Sequence, residues 1–131
     1  MKYLVDSDWL IDAFGGISSA IHTLALLRRD APAVSIVSYG ELFDGGAAMP
    51  DPERRIAQLA EFLDAFELLG LDPSTMRIFA QIRNQLRLKG QIIPDFDILI
   101  ASTALQYDLT LLTRNTRHFA RIPNLRLYLP R

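Results

Sequence analysis

Short runs of apolar residues alternate along the chain with longer segments in which apolar residues recur at every third or fourth position. The short runs contain leucine and β-branched residues, a composition typical of β-strands. They occupy residues 2–6, 34–37, 67–71, 109–113 and 126–129. Because strands that alternate with helices form parallel sheets covered on both faces, the pattern predicts an α/β fold with a central parallel sheet of about four to five strands.

Proline residues mark the starts of three predicted helices. Asp51–Pro52 and Asp72–Pro73 each combine a capping residue with a proline that is tolerated in the first helical turn. The helix after Pro52 has one apolar face, formed by Ile56, Leu59, Leu63 and Phe66. Pro94 opens a third helix, FDILIASTALQY, which is apolar nearly all round, and we therefore expect it to be buried.

The composition limits the chemistry available to the chain. Its 131 residues have the length of one domain, and we expect a single domain over residues 1–131. The absence of cysteine excludes disulfides, thiolate metal sites and a cysteine nucleophile, and two histidines are too few for a three-histidine zinc site. No stretch approaches the roughly 18 apolar residues of a membrane span, and Asp6 comes too early for a signal peptide. We therefore expect a soluble, cytoplasmic protein.

Charge is distributed unevenly along the chain, although the formal net charge is only −1. Residues 1–76 carry 5 basic and 12 acidic side chains, whereas residues 77–131 carry 9 basic and 3 acidic ones. Twelve of the 14 basic residues are arginines, whose planar guanidinium group suits phosphate. The basic half is therefore interpreted either as a nucleic-acid-binding face or as an ordinary solvated surface.

Polar side chains follow predicted strands or open predicted helices at four places. Asp6 ends the first strand and Glu41 follows the second. Asp97 lies in the first turn of the buried helix, and Asn115 follows the fourth strand. Their polar neighbours are Ser7, Asp8, Asp95 and Thr113. Because the carboxyl ends of parallel strands share one edge of a sheet, we expect these side chains to lie close together there.

Helix capping is the alternative interpretation of each acidic residue taken singly. Asp6 can cap the first helix, and Ser38 with Glu41 fits the S-x-x-E capping box. Asp95 can likewise be an N-cap, with Asp97 favoured by the helix dipole. Capping does not explain why an otherwise apolar, buried helix opens on Asp97.

Three carboxylates gathered at one edge of the sheet would repel one another strongly. At separations of about 6 Å and an effective dielectric of about 20, each pair contributes roughly 3 kcal/mol, a total comparable with the stability of a domain. Either some of the carboxylates are protonated or a cation is bound. Since the available ligands are hard oxygens, we expect Mg²⁺ or Mn²⁺, ions that activate water for phosphoryl displacement.

Three segments of the sequence resemble the PIN domain family, and in particular the VapC-type toxin ribonucleases of prokaryotic toxin–antitoxin pairs. They are LVDSDWLID, SYGEL and PDFDILIASTALQYDLTLLTRN, the last followed by HF. The resemblance covers nearly the whole chain, from residue 3 to residue 128, and implies a PIN-like fold. By position it makes Asp6, Glu41 and Asp97 the three acidic residues of the site. Asn115 lies where many members of the family have a fourth acid.

The resemblance implies hydrolysis of RNA phosphodiester bonds by water that Mg²⁺ or Mn²⁺ activates. Asp6 and Asp97 are then the principal metal ligands, while Glu41 completes the site or orients the nucleophile. The resemblance also implies the toxin role in a type II toxin–antitoxin system, a VapB-like antitoxin as partner, and a homodimer. Candidate supporting residues are Ser7, Asp8, Asp95 and Thr113. Candidates for RNA or partner contacts are Arg83, Arg87, Arg114 and Arg117.

Two other functions are compatible with the sequence. The first is a PIN-fold module that binds RNA or a partner without catalysis, which the replacement of an acid by Asn115 makes conceivable. The second follows from Asp6-Ser7-Asp8, which resembles the start of haloacid-dehalogenase-type phosphatases, where the first Asp attacks phosphate. That mechanism needs a downstream lysine, and Lys89 is the only lysine beyond the first two residues.

Overall fold

A four-stranded parallel sheet forms the centre of the fold in the computed structural model, which describes residues 1–129. Its strands, in chain order, are β1 (Tyr3–Val5), β2 (Ala33–Ser35), β3 (Glu67–Leu69) and β4 (Thr110–Leu112). Their order across the sheet is β3-β2-β1-β4, so β1 pairs with β2 on one side and with β4 on the other. The predicted α/β fold with a parallel sheet is confirmed.

Helices connect the strands and cover both faces of the sheet. Among the described residues they are α1 (Ser7–Phe14), α2 (Ser18–Leu27), α3 (Ile36–Ala47), α4 (Pro52–Leu63), α5 (Pro73–Leu88), α6 (Asp95–Gln106) and α7 (Thr116–Phe119). A short 3-10 turn, Arg28–Asp30, follows α2. Within residues 1–129 no single helix is long and apolar enough to cross a membrane; α1 and the segment from α2 to Asp30 meet that test only together, across a bend of 116°.

Successive residues of β1 point to opposite faces of the sheet, and each face has its own core. Leu4 faces one core, in which it is buried with Ile82 of α5 and Ile98 of α6. Val5 faces the other, which includes Leu59 of α4 and apolar residues of α1 and α2. Helix α6 contributes six buried residues, which confirms that it is the buried helix. Because β1 is packed on both faces, the backbone of the residue that follows it is held firmly in place.

The three prolines do mark helix starts, but the capping residues differ from the prediction in one case. Helix α5 begins with a capping box, in which the Asp72 carboxylate accepts from Thr75 N and the Thr75 hydroxyl accepts from Asp72 N. Before α4, Asp51 has a φ of 54° and makes no capping hydrogen bond, so the predicted cap is wrong there. Capping requires an extended backbone at that residue, and Asp51 is left-handed instead. Before α6 the N-cap position is taken by Pro94, and the alternative of Asp95 as a cap does not hold.

The strands are shorter than predicted because helices begin directly at their carboxyl ends. Ile36 and Val37, predicted in the second strand, belong to α3. The reason is Ser35, whose hydroxyl caps that helix by accepting a hydrogen bond from Val37 N at 3.1 Å.

Residues 126–129 do not form the predicted fifth strand. In the described part of the chain, Leu127 makes one parallel bridge to Leu111 of β4. The hydrogen bonds of this bridge join Leu111 N to Arg126 O and Tyr128 N to Leu111 O, each at 2.8 Å. Pairing at a single residue attaches the segment to the sheet without extending it.

Candidate active site

Asp6 lies at the carboxyl end of β1, where this central strand meets the start of α1. Its backbone N–H donates to Leu112 O at 2.9 Å, which continues the pairing with β4. Its side chain is buried: Oδ1 accepts from Ser7 N (2.8 Å) and Oδ2 accepts from Thr113 Oγ1 (2.7 Å). Asp6 is therefore both the N-cap of α1 and a member of a polar cluster built across two neighbouring strands.

Asp8, in the first turn of α1, faces the segment that follows β4. Its Oδ2 accepts from Arg114 N at 2.9 Å and lies 3.4 Å from Thr113 Oγ1. Its Oδ1 accepts from Trp9 N at 2.7 Å. Asp8 and Thr113 thus lie in the same cluster as Asp6.

Glu41 approaches this cluster from α3. Its side chain is half-buried, and Oε1 accepts a hydrogen bond from Ser7 Oγ at 3.4 Å. The alternative of a capping box between Ser38 and Glu41 is wrong, because α3 starts three residues earlier and Ser35 is its cap. Ser38 is instead buried, and its hydroxyl has no partner among the described residues.

Asp97, in the first turn of α6, contacts side chains from the segment that follows β4. Its Oδ2 lies 2.8 Å from His118 Nδ1 and 3.4 Å from Asn115 Nδ2. Asn115 Nδ2 also lies 2.9 Å from His118 Nδ1. The sequence prediction missed His118; its one signal was a spacing of three residues from Asn115, which places the two side chains near each other at the start of α7.

Burial and neighbouring charge raise the pKa of two of these carboxyl groups. The pKa of Asp6 is raised to about 6, first by burial and then by the charge of Asp8, while the hydrogen bond from Thr113 acts in the opposite direction. The pKa of Glu41 is also raised, first by burial and then by the charge of Asp97. These carboxylates therefore lie close enough to oppose one another's ionisation.

Within residues 1–129, no basic side chain forms an ion pair with Asp6, Asp8 or Glu41. Arg114 is near in sequence to the cluster, but its guanidinium Nε pairs with Asp12 at 2.9 Å. Lysines and arginines of the described residues therefore do not neutralise the negative charge of Asp6, Asp8 and Glu41 through ion pairs.

The donor atoms of the cluster fit a hard divalent cation in chemistry and charge. They are carboxylate oxygens, the hydroxyl of Thr113 and the carboxamide of Asn115, the kinds of ligand that Mg²⁺ and Mn²⁺ prefer. In the part of the chain that the structure describes, no three acidic or histidine side chains are already arranged to hold one ion. Binding a cation here therefore requires some of these side chains to move closer together.

The remaining candidate residues lie outside this cluster. Asp95 is exposed, and its Oδ1 accepts from Arg83 Nε at 2.9 Å, so Asp95 is engaged with α5. Arg87 and Arg117 are exposed and form no ion pair with any of residues 1–129.

Comparison of the sequence with known proteins gives one family match and several relatives. A family model described as the PIN domain matches residues 3–125. Ribonuclease VapC2 of Rickettsia felis is 32% identical over 127 residues, which cover 95% of each chain. The tRNA(fMet)-specific endonuclease VapC of Shigella flexneri is 28% identical over 126 residues, which cover 96% of each chain.

Solved structures give the same result for the fold. The crystal structure of VapBC2 from Rickettsia felis, bound to a DNA fragment from its promoter, contains a chain that superposes with a TM-score of 0.91 and 31% identity. The superposition covers 98% of each chain. The likeness therefore extends over the elements that carry the cluster of carboxylates.

Proposed function

This chain belongs to the PIN domain family, and from that premise we propose that it is a Mg²⁺- or Mn²⁺-dependent endoribonuclease and the toxin of a type II toxin–antitoxin system. The proposal assigns residues 1–131 to one PIN domain. One observation carries it: the carboxylates of Asp6, Glu41 and Asp97, at the end of β1 and on α3 and α6, meet at one edge of the sheet without a lysine or arginine partner among the described residues. The charge of Glu41 helps to raise the pKa of Asp6, and the charge of Asp97 helps to raise the pKa of Glu41. Such a cluster is suited to a divalent cation and a phosphodiester.

Asp6 and Asp97 are proposed as the residues that hold the cation, with Asn115 beside Asp97. When bound, a divalent cation supplies positive charge that polarises the phosphate and favours the ionisation of water. Thr113 and Ser7 hold the Asp6 carboxylate at fixed positions of its two oxygens. Because the carboxylate is already oriented before the substrate binds, less entropy is lost when the reacting groups are brought together.

Glu41 is proposed to orient the attacking water and accept its proton. Its Oε1 accepts from Ser7 Oγ, so the side chain is directed toward the cluster. Because burial and the charge of Asp97 raise its pKa, Glu41 is a better proton acceptor than an exposed glutamate. The phosphodiester bond is cleaved as the water oxygen attacks phosphorus and the leaving oxygen departs.

The arginines of the second half of the chain are proposed to bind the phosphates of RNA. Arg87 and Arg117 are exposed and free of carboxylate partners within residues 1–129. Arg83 and Arg114 are paired with Asp95 and with Asp12, so part of their charge is already compensated. The first two are therefore the stronger candidates for phosphate contacts.

A VapB-like antitoxin is the proposed partner, and the groove beside Glu41 is its proposed docking surface. This apolar groove, of about 400 Å³, lies between α1, α3 and α4. Its apolar lining consists mainly of Ile11, Phe14, Leu42, Met49 and Leu59. Glu41 also lines this groove. An apolar segment of the antitoxin would therefore fill the groove, and a basic tail that continues from it would reach the carboxylates. The proposal also includes the homodimer that the resemblance implies. Measuring the molar mass of the protein in solution tests for this dimer.

Each of the two alternative functions has a requirement that separates it from a nuclease. A phosphatase of the haloacid-dehalogenase type requires a lysine near Asp6, but Lys89 is exposed at the end of α5 and no lysine among the described residues pairs with Asp6. A binding module without catalysis requires RNA to bind and remain intact.

Cleavage of RNA by the purified chain, with Mg²⁺ or Mn²⁺ and with chelator, is the experiment that tests the proposal. We expect cleavage only with the metal, and a loss of at least about a hundredfold for Asp97→Asn, because that change removes charge from the cation site. Asp95→Asn is the matched control, since it makes the same change two residues earlier on the same helix, where the carboxylate pairs with Arg83. Full activity in chelator, or equal activity of the two variants, would contradict the proposal.

A further inference from the structure

His118 contacts Asp97 from a different part of the chain. Asp97 lies on α6 and His118 on α7, and Nδ1 of the imidazole is 2.8 Å from Oδ2 of the carboxylate. Phe119, the next residue, is fully buried in the core shared with α6. The backbone that carries His118 is therefore anchored, although its side chain is one-third exposed.

Only one arrangement of the proton makes this contact attractive. An ionised carboxylate oxygen can accept a hydrogen bond but cannot donate one. Two acceptors 2.8 Å apart would repel each other, so Nδ1 must carry a proton and donate it to Asp97 Oδ2. The amide nitrogen of Asn115 lies 2.9 Å from Nδ1 and 3.4 Å from Oδ2. Because Nδ1–H and the Asn115 N–H are both donors, they do not bond to each other, and each donates to Asp97 Oδ2.

Asp97 differs from Asp6 and Asp8 in what holds its carboxylate. The carboxylates of Asp6 and Asp8 each accept at least one hydrogen bond from a backbone N–H of the chain. The hydrogen bonds of Asp97 within residues 1–129 come only from two side chains, those of His118 and Asn115. Its orientation therefore depends on residues that the sequence places 18 and 21 positions away.

We propose that His118 is a positioning residue, which donates its Nδ1 proton to Asp97 Oδ2 and so fixes the carboxylate with Oδ1 left for the cation. This inference rests on the proposed function, because it requires Asp97 to hold a metal ion. Hydrogen bonds to the carboxylates that bind a metal commonly contribute a factor of about 10 to 100 in metal affinity. His118 is assigned here a role through Asp97, and not as a ligand through Nε2.

The test compares metal affinities of the full-length chain and four variants by isothermal titration calorimetry with Mn²⁺ and with Mg²⁺. His118→Ala removes the donor and should weaken both affinities about 10- to 100-fold. His118→Asn places an amide N–H where Nδ1 was but has no counterpart of Nε2, so its affinities should stay close to those of the wild type. His22→Ala removes the other histidine, which is exposed on α2, and should change neither affinity.

Asp97→Asn is the fourth variant and separates failure of this inference from failure of the proposed function. If Asp97→Asn binds both metals as the wild type does, the metal site itself is misplaced and both proposals fall. If Asp97→Asn loses affinity but His118→Ala does not, only the positioning role is overturned. If His118→Asn is as weak as His118→Ala, the imidazole acts through Nε2 or through packing, and the positioning role is again overturned.

A measurement on the wild type alone covers the case in which His118→Ala fails to fold. Nitrogen-15 NMR of the metal-free chain at mildly alkaline pH distinguishes the two tautomers of a neutral imidazole. We expect the proton of His118 on Nδ1, with a slowly exchanging signal, and the bare lone pair on Nε2. A proton on Nε2 and a bare Nδ1 would overturn the inference without any variant.

Discussion

At the scale of single residues, Asp6 shows how the candidate site affects the stability of the whole chain. Its carboxyl group is only 6% exposed and has a pKa raised to about 6 by burial and by the charges of Asp8 and Glu41. The same carboxyl group in the unfolded chain has the ordinary pKa of about 3.9. The folded, metal-free chain therefore holds a proton at Asp6 more tightly than the unfolded chain does.

The metal-free chain should lose stability as the pH rises from about 4 to beyond 6. A carboxyl whose pKa is higher in the folded state contributes stability below its unfolded pKa, and this contribution disappears as the pH passes the folded pKa. For Asp6 the loss amounts to about 3 kcal/mol at most. Urea unfolding in chelator over this pH range measures it.

Asp6→Asn is the control for this pH dependence, because it keeps the shape of the side chain but cannot ionise. The variant should show a clearly smaller loss between pH 4 and 6, to which Glu41 with its raised pKa still contributes, and should be more stable than the wild type at neutral pH. An equal loss in both proteins would show that Asp6 is not the group responsible.

The sequence allowed three acidic residues of the candidate site to be predicted, but not the histidine. Asp6, Glu41 and Asp97 follow strands or open a helix, and parallel strands bring such positions to one edge. His118 contacts Asp97 only because α7 packs beside α6, and no local pattern reports that packing. Asp51 shows the opposite failure, since its pairing with a proline predicts a cap but its left-handed backbone prevents one.

At the scale of the elements, the start of α5 is tied to the end of α6. The Thr75 hydroxyl donates to Gln106 Oε1 and lies 3.1 Å from Asp72 Oδ1, while Gln106 Nε2 donates to Asp72 Oδ1 and Oδ2 at 2.9 Å each. Thr75 is fully buried. The network fixes the register of α5 against α6, the helix that carries Asp97.

Thr75→Val should lower the free energy of unfolding by about 1 to 2 kcal/mol, because it removes the hydroxyl that completes the capping box of α5 and bonds Gln106 of α6. Thr103→Val is the matched control. Thr103 is equally buried, but its hydroxyl donates only to Leu99 O within α6, so its loss should matter less. Denaturant unfolding of the two variants measures the difference, and equal destabilisation would contradict the role of the network.

The type and order of these elements could be predicted, whereas their ends could not. Residues 34–37 read as one apolar strand, yet Ser35 ends that strand by capping α3. Residues 126–129 have the composition of a strand but pair with β4 through a single residue. In both cases a hydrogen bond that depends on the neighbouring element decides where the strand stops.

At the scale of the whole molecule, the two halves of the chain differ in charge but share one site. Asp6 and Glu41 come from the acidic half, and Asp97 and Asn115 from the basic half. The exposed Arg117 lies two residues beyond Asn115 along the chain, on the short helix α7. This distribution of charge suits the binding of a polyanion such as RNA near the carboxylates. Arginines near the site offset the repulsion between the phosphates and the carboxylates.

A chain with both Arg87→Ala and Arg117→Ala should bind all RNA sequences more weakly. If each arginine meets one phosphate of a single strand, the slope of log affinity against log salt should become shallower by roughly 1.4 units. Fluorescence anisotropy in chelator, where we expect the RNA to stay intact, measures this slope. Arg29→Ala with Arg54→Ala makes the same change of charge at exposed positions of the acidic half, and an equal effect there would show that only net charge matters.

The hydrogen bond between Asp6 and Thr113 joins residues that are 107 positions apart, and this has a consequence for how the protein is made. At synthesis rates of about 5 to 20 residues per second, roughly 5 to 20 s separate the appearance of these two residues on the ribosome. During that interval β1 and β2 are present, but β4, α6 and α7 are not all available to complete the cluster. The cluster therefore cannot form before Thr113 and the residues of α6 and α7 have been synthesised, so we expect RNA cleavage that depends on this cluster to be absent from shorter nascent chains.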